Sequence, residues 1–117
     1  MTTGPRDVSL AFAAAVSGGD VDAATALWHA DAVMVGTDGA TVRGRDALRE
    51  RFAQLVAAGA QIDIAVDEVV EQGDVALGRT TMTMAFGGAS VTFAGSVVYV
   101  RAEDGWRIAI DRVVAQA

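Results

Sequence analysis

The sequence predicts an α+β domain whose three N-terminal helices cover one face of a long, curved antiparallel sheet. Three observations carry this reading. Helical spacing of apolar residues is confined to the segments before Gly59, and four strand-like runs joined by turn residues fill the chain after it. The composition, 52% hydrophobic with 6% aromatic and a single proline, is that of a compact interior built from Ala, Val, Ile and Leu. At 117 residues the chain is long enough for one core and too short for two, so a single domain over 1–117 is expected.

The segment "PRDVSLAFAAAVSGGD" reads as the first helix. Pro5 suits a first turn, Val8, Leu10, Phe12, Ala15 and Val16 supply the apolar face, and Gly18-Gly19 ends it. Asp20 is a good N-cap for a second helix, "VDAATALWHA", with Asp22 near its positive end. "DAVMVGTDGATVRG" follows as two short strands around a turn at Thr37-Asp38-Gly39. The third helix, "RDALRERFAQLVAAGA", carries the stripe Ala47, Leu48, Phe52, Leu55 and Val56, and Gly59 stops it. The strands "QIDIAVDEVVEQ", "DVALGRTTMTMAF", "ASVTFAGSVVYVRA" and "GWRIAIDRVVA" are then divided by Gln72-Gly73, Gly87-Gly88 and Asp104-Gly105. The order is α-α-β-β-α-β-β-β-β.

Composition also excludes chemistry. Without Cys there is no thiolate nucleophile, disulfide or thiolate-held metal, and without Lys no Schiff base. One histidine, His29, rules out a multi-histidine metal site, so no metal is expected. No glycine-rich loop opens a helix, which leaves nucleotide binding without a motif; no cofactor is expected. A net charge of -6 argues against nucleic acid, and no polybasic run addresses an anionic membrane. With no apolar run of the roughly 18 residues a span needs, and no apolar signal core in "MTTGPRDVSL", a cytoplasmic location is the expectation.

Turn positions allow the inner face of the sheet to be worked out by alternation. If Gly87-Gly88 is a turn, Met82, Met84 and Phe86 share a face with Phe93, Gly95, Val97 and Tyr99. Carried across Asp104-Gly105, the same alternation adds Trp106, Ile108, Ile110 and Arg112, and sends Asp111 outward. The outer face then holds Arg79, Thr81, Thr83, Ser96, Arg107 and Asp111. In the strand after Gly59 the apolar pattern favours Ile62, Ile64 and Val66 inside. A two-residue turn at Gln72-Gly73 would place Asp63 and Asp67 there instead, and a bulge would settle it.

The stretches "GDVDAATALWHADAVMV", "VRGRDALRERF" and "EDGWRIAIDRV", in this order, resemble the nuclear transport factor 2-like superfamily. Within it the chain is similar to the SnoaL-like polyketide cyclases and the ketosteroid isomerase-related domains. The resemblance covers essentially the whole chain and implies a cone-shaped fold around an apolar pocket, with homodimers formed through the outer sheet face. It implies a small hydrophobic ligand, lined here by Phe12, Trp28, Met34, Met82, Met84, Phe93, Val97, Trp106 and Ile110.

The chemistry of the relatives does not carry over intact. The ketosteroid isomerase base position falls at Val35 or Gly36, its oxyanion Tyr at Phe12 and its oxyanion acid near Ser96 or Val97. Trp28 stands where those enzymes carry a supporting Tyr. The cyclases and limonene epoxide hydrolases keep an Asp on the last strand, and counting from Gly105 that position is Arg112. A guanidinium cannot serve as a general base; it holds an oxyanion or stabilises developing negative charge. Arg112 is thus either a ligand-polarising group, a side chain with its head in water, or the partner of Asp31, Asp63 or Asp67. Tyr99 is a second candidate oxygen-polarising group or a packed aromatic. His29 is a helix-ending cation or a proton carrier at the pocket mouth. Two functions are expected: a cofactor-independent isomerase, cyclase or dehydratase acting on an oxygenated hydrophobic, polyketide- or steroid-like compound, or a non-catalytic ligand-binding or dimerisation domain.

Overall fold

The computed structural model describes residues 4–115; residues 1–3 and 116–117 of the expected domain lie outside the described residues. Pro5 opens α1 (Pro5–Ser17), whose Val8, Phe12 and Val16 recur every four residues and are buried. The chain leaves it through Gly18 and through Gly19 at φ 78°, a left-handed position that favours glycine. The Asp20 carboxylate accepts from the Ala23 amide at 3.0 Å and caps α2 (Val21–Ala26).

The second helix was expected to run on through His29 and instead ends at Ala26. Trp28 is fully buried, and its carbonyl accepts from Arg45 Nε at 3.1 Å and Nη2 at 2.6 Å. The neighbouring Leu27 carbonyl accepts from the Ile108 amide at 2.9 Å. These bonds draw the backbone into strand β1 (Trp28–Val35), and tertiary pairing overrides helix propensity.

After β2 (Thr41–Arg43), α3 (Arg45–Ala57) buries Leu48 and Phe52, with Leu55 and Val56 partly covered and Ala47 exposed. Phe52, Phe12 and Trp28 form one ring cluster, with centroids 5.0 to 5.5 Å apart and tilted or edge-on planes. This cluster fixes both long helices to the first strand.

Strands β3 (Gln61–Gln72), β4 (Val75–Phe86), β5 (Ala89–Ala102) and β6 (Gly105–Ala115) complete a six-stranded sheet in the order β2-β1-β6-β5-β4-β3. Every pairing is antiparallel except β1 with β6, which is parallel because the last strand enters beside the first after a long excursion. Gly87-Gly88 is a hairpin turn as expected. The other two turns fall one residue later or earlier, at Gly73-Asp74 and Glu103-Asp104.

Two bulges decide which side chains face in. In β3, Val66 opposes Thr80 and Glu68 opposes Arg79, so Asp67 is the extra residue. The slip places Ile62 and Val66 in the interior and leaves Asp63 and Asp67 exposed, which settles the ambiguity in favour of the apolar pattern. In β6, Tyr99 opposes Ile108 but Val98 opposes Ile110, so Ala109 is extra. Up to Ile108 the expected alternation holds; beyond Ala109 it is inverted.

Candidate functional site

Inversion at Ala109 exchanges the two neighbours at the end of β6. Val97, a buried inner-face residue, pairs with Asp111, and the outer-face Ser96 pairs with Arg112. Asp111 therefore turns toward the helices and Arg112 toward the outside, the reverse of strict alternation. Ile110, expected inside, is 44% exposed on the outer face for the same reason.

A cavity of about 290 Å³ opens between the helices and the inner face. Its floor and walls are Phe12 of α1, Leu55 of α3, Ile62 of β3, Met82, Met84 and Phe86 of β4, and Phe93 of β5. Met34 adds a wall from β1, and Val113 and Asp111 close it from β6. Gly36, Thr37 and Arg51 stand on its rim. Two roomier depressions lie elsewhere. One is a groove between α1, α2 and the β5-β6 turn; the other lies on the outer face beside Arg112. The inner cavity combines largely apolar walls with Arg51 at its edge and one acidic group, the pattern of a small-molecule site.

That group is Asp111. Burial against this lining pushes its carboxyl pKa up to about 7, and no cation counters the shift. Among the described residues it makes no hydrogen bond or ion pair. Behind it lies a void of about 20 Å³ bordered by Ser9, Thr80, Val97 and Ile108. Asp111 near neutrality can hold a proton or release it, which is the property a general acid or base requires. Sequence alternation missed it. The available signal was "IDR" itself: an acid one residue out of phase on a strand whose twin, β3, already needed a bulge.

The sequence-nominated residues divide sharply. Phe12, Met34, Met82, Met84 and Phe93 line the cavity, and Val97 borders the small void behind it. Trp28 and Trp106 are core residues: Trp28 packs on Phe12 and Phe52, and Trp106 lies beneath the Arg101 guanidinium at 4.8 Å. Trp28 Nε1 is buried without a hydrogen-bond partner. Arg112 lines the outer depression with Asp67, Arg79, Thr81 and Ser96 and forms no ion pair among the described residues; Asp67 accepts instead from Thr81 Oγ1 at 2.8 Å.

Tyr99 is fully buried and away from the cavity lining. Its hydroxyl lies 2.6 Å from Ser9 Oγ on α1, and its ring occupies the space a Cβ at Gly78 would need. Burial raises its phenol pKa, the Ser9 hydrogen bond opposes this, Asp111 adds to the rise and Arg6 reduces it. Tyr99 thus ties α1 to the sheet rather than meeting a ligand in the cavity. His29 is exposed on β1, where its Nδ1 accepts from the Asp31 amide at 3.1 Å; it neither ends a helix nor lines the cavity. Among the described residues no three His, Asp or Glu side chains converge as a metal site would need, and no helix is long and apolar enough to cross a membrane.

No functionally curated protein matches this sequence. Solved structures do match in fold. A candidate calcium/calmodulin-dependent protein kinase type II association domain from Thiobacillus denitrificans superposes with a TM-score of 0.84 at 19% identity, over 100% of this chain and 98% of that one. A candidate dehydratase of the nuclear transport factor 2-like family from Streptomyces avermitilis gives 0.82 at 19% identity, over 94% and 92%. An epoxide hydrolase from Mycobacterium tuberculosis, described as LEH-like, gives 0.72 at 18% identity, over 95% and 81%. At these identities the likeness establishes the fold and nothing finer. The family profile for the SnoaL-like domain matches residues 10–110, and with the curved six-stranded sheet and the covering helices this chain belongs to the SnoaL-like domain family, within the nuclear transport factor 2-like fold.

Proposed function

We propose that the inner cavity binds an oxygenated apolar small molecule and that Asp111 moves a proton to or from it, as an isomerase, dehydratase or cyclase does. One observation supports this above the rest: a carboxyl with a pKa of about 7 and no partner among the described residues faces a largely apolar cavity. Asp111 takes the role that alternation had offered to Arg112 and Tyr99. Proton transfer from a group matched to the working pH is the mechanism such a site favours, and it needs no cofactor. A thermal-shift screen of single-ring and short-chain ketones, enones, epoxides and phenols tests the site. Hits are expected with the wild type and lost in Met84→Trp, whose indole fills the cavity. Hits that survive Met84→Trp, or none at all, contradict the reading.

A second reading concerns assembly, and the outer face supports it. Val70, Leu77, Val98 and Ile110 are successive cross-strand partners from β3 to β6 and form one apolar row. Three of them are between 44% and 56% exposed. A second copy placed on this row would cover it, giving a homodimer through the outer sheet face. Leu77→Asp puts two carboxylates into such a contact, and light scattering is expected to show a dimer for the wild type and a monomer for the variant. A wild-type monomer at tens of micromolar contradicts it.

A further inference from the structure

Nine arginines supply all the side-chain cations apart from His29, and five of them are engaged by the protein itself. Arg6 donates to the Val66 carbonyl and Arg45 to that of Trp28, while Arg49, Arg101 and Arg107 pair with Asp22, Asp74 and Asp104. Arg51 has no hydrogen-bond or ion-pair partner among the described residues, and it alone of the nine lines the inner cavity. The next residue, Phe52, is fully buried in the ring cluster and anchors this part of the helix.

The cavity lining is graded in exposure. Arg51 and Thr37 are exposed, whereas Phe12 is buried and Met82, Met84, Phe93 and Asp111 are half-buried. Both side chains line the cavity, yet among the described residues no ion pair joins Arg51 to Asp111. A neutral apolar ligand would leave Arg51 unused. A ligand with its anion innermost would meet Asp111 and desolvate two like charges. On a chain of net charge -6, an isolated cation at the mouth is also the feature that would draw an anion in.

We propose that the cavity selects an apolar molecule carrying one carboxylate, held by Arg51 at the mouth, with its uncharged body lying over Met82, Met84 and Phe93 toward Asp111. A single planar guanidinium matches a carboxylate through two parallel N–H···O bonds, whereas a phosphate dianion calls for further cations that the rim does not supply. At about 290 Å³ the space lies at the lower end of small-molecule pockets, which span roughly 300–1,000 Å³, and suits a short chain or one ring. The proposal rests on the cavity being the ligand site and adds the class of ligand.

Calorimetric titration at pH 6, where Asp111 keeps its proton, tests it with octanoate and its neutral isostere octanamide. The wild type is expected to bind octanoate about tenfold more tightly. Arg51→Gln, a good helix former on an exposed helix face, should bring the two to parity while changing octanamide affinity by less than about twofold. Met84→Trp should lose both. Equal binding of the two probes by the wild type, or a preference that survives Arg51→Gln, overturns the role of Arg51 and leaves the cavity as the ligand site. Failure of both probes to bind the wild type overturns this proposal, and hits in the neutral-compound screen then decide whether the cavity reading stands.

Discussion

Asp111→Asn is expected to remove turnover of any substrate of the cavity by at least about a hundredfold while leaving its binding largely intact. Asparagine keeps the shape of the carboxyl and cannot exchange a proton near neutrality. The same substitution carries a stability signature that needs no substrate. The carboxyl pKa rises from 3.8 in the unfolded chain to about 7 in the fold, so the folded state binds the proton more tightly. Its contribution is fully present below about pH 4 and is lost as pH climbs through 7. At ~1.4 kcal/mol per unit of displacement the ceiling is about 4 kcal/mol, and partial exposure of the side chain reduces it. The wild-type Tm should therefore fall relative to that of Asp111→Asn between pH 5 and pH 8, with the variant the more stable at pH 8. Parallel Tm curves over that range would show that Asp111 is not held in an apolar site.

Phe52→Ala should cost about 3–5 kcal/mol, a large share of the roughly 5–15 kcal/mol that holds a domain of this size. Phe52 is fully buried and touches both Phe12 and Trp28, with ring centroids at 5.0 and 5.3 Å. Truncation leaves a void between two helices and a strand whose backbones are tied elsewhere, by Arg45 on the Trp28 carbonyl and by the β1-β6 pairing. The site has little freedom to collapse, so the cavity term is large. Urea denaturation measures it directly, through a lower midpoint at unchanged slope. A loss below about 1 kcal/mol would mean that the ring cluster is not what joins the helices to the sheet.

The order of elements was legible in the sequence because it depends on local signals that the fold respects. Pro5 and Asp20 start helices, Gly18, Gly19 and Gly59 end them, and Gly87-Gly88 turns a hairpin. The apolar lining was legible in part for a related reason, since Met82, Met84 and Phe93 are fixed by the register of that one hairpin. The polar residues of the site were not. Their facing depends on Ala109, an extra residue without a positive φ and with no glycine or proline to announce it. One unannounced residue sends Ile110 and Arg112 out and brings Asp111 in. Arg51 was overlooked for a different reason. It sits on an exposed helix face, and only the packing of α3 beside the cavity brings it into the lining.

Within that same stretch, resemblance and alternation both pointed to position 112 as the inward one, and the bulge shifts that facing to Asp111. Counting from Gly105 assumes an unbroken strand. With Ala109 looped out, Asp111 stands on the inner face and lines the cavity with Val113.

A carboxyl-detected NMR titration of Asp111, combined with methyl contacts from Val113 and Ile110, tests this arrangement most directly. The account predicts an apparent pKa of about 7 for Asp111, Val113 methyls close to Met82 and Phe93, and Ile110 methyls close to Val98 on the outer face. An Asp111 that titrates near the ordinary carboxylate range of about 4, with Ile110 contacting Phe12 or Met82, would contradict it.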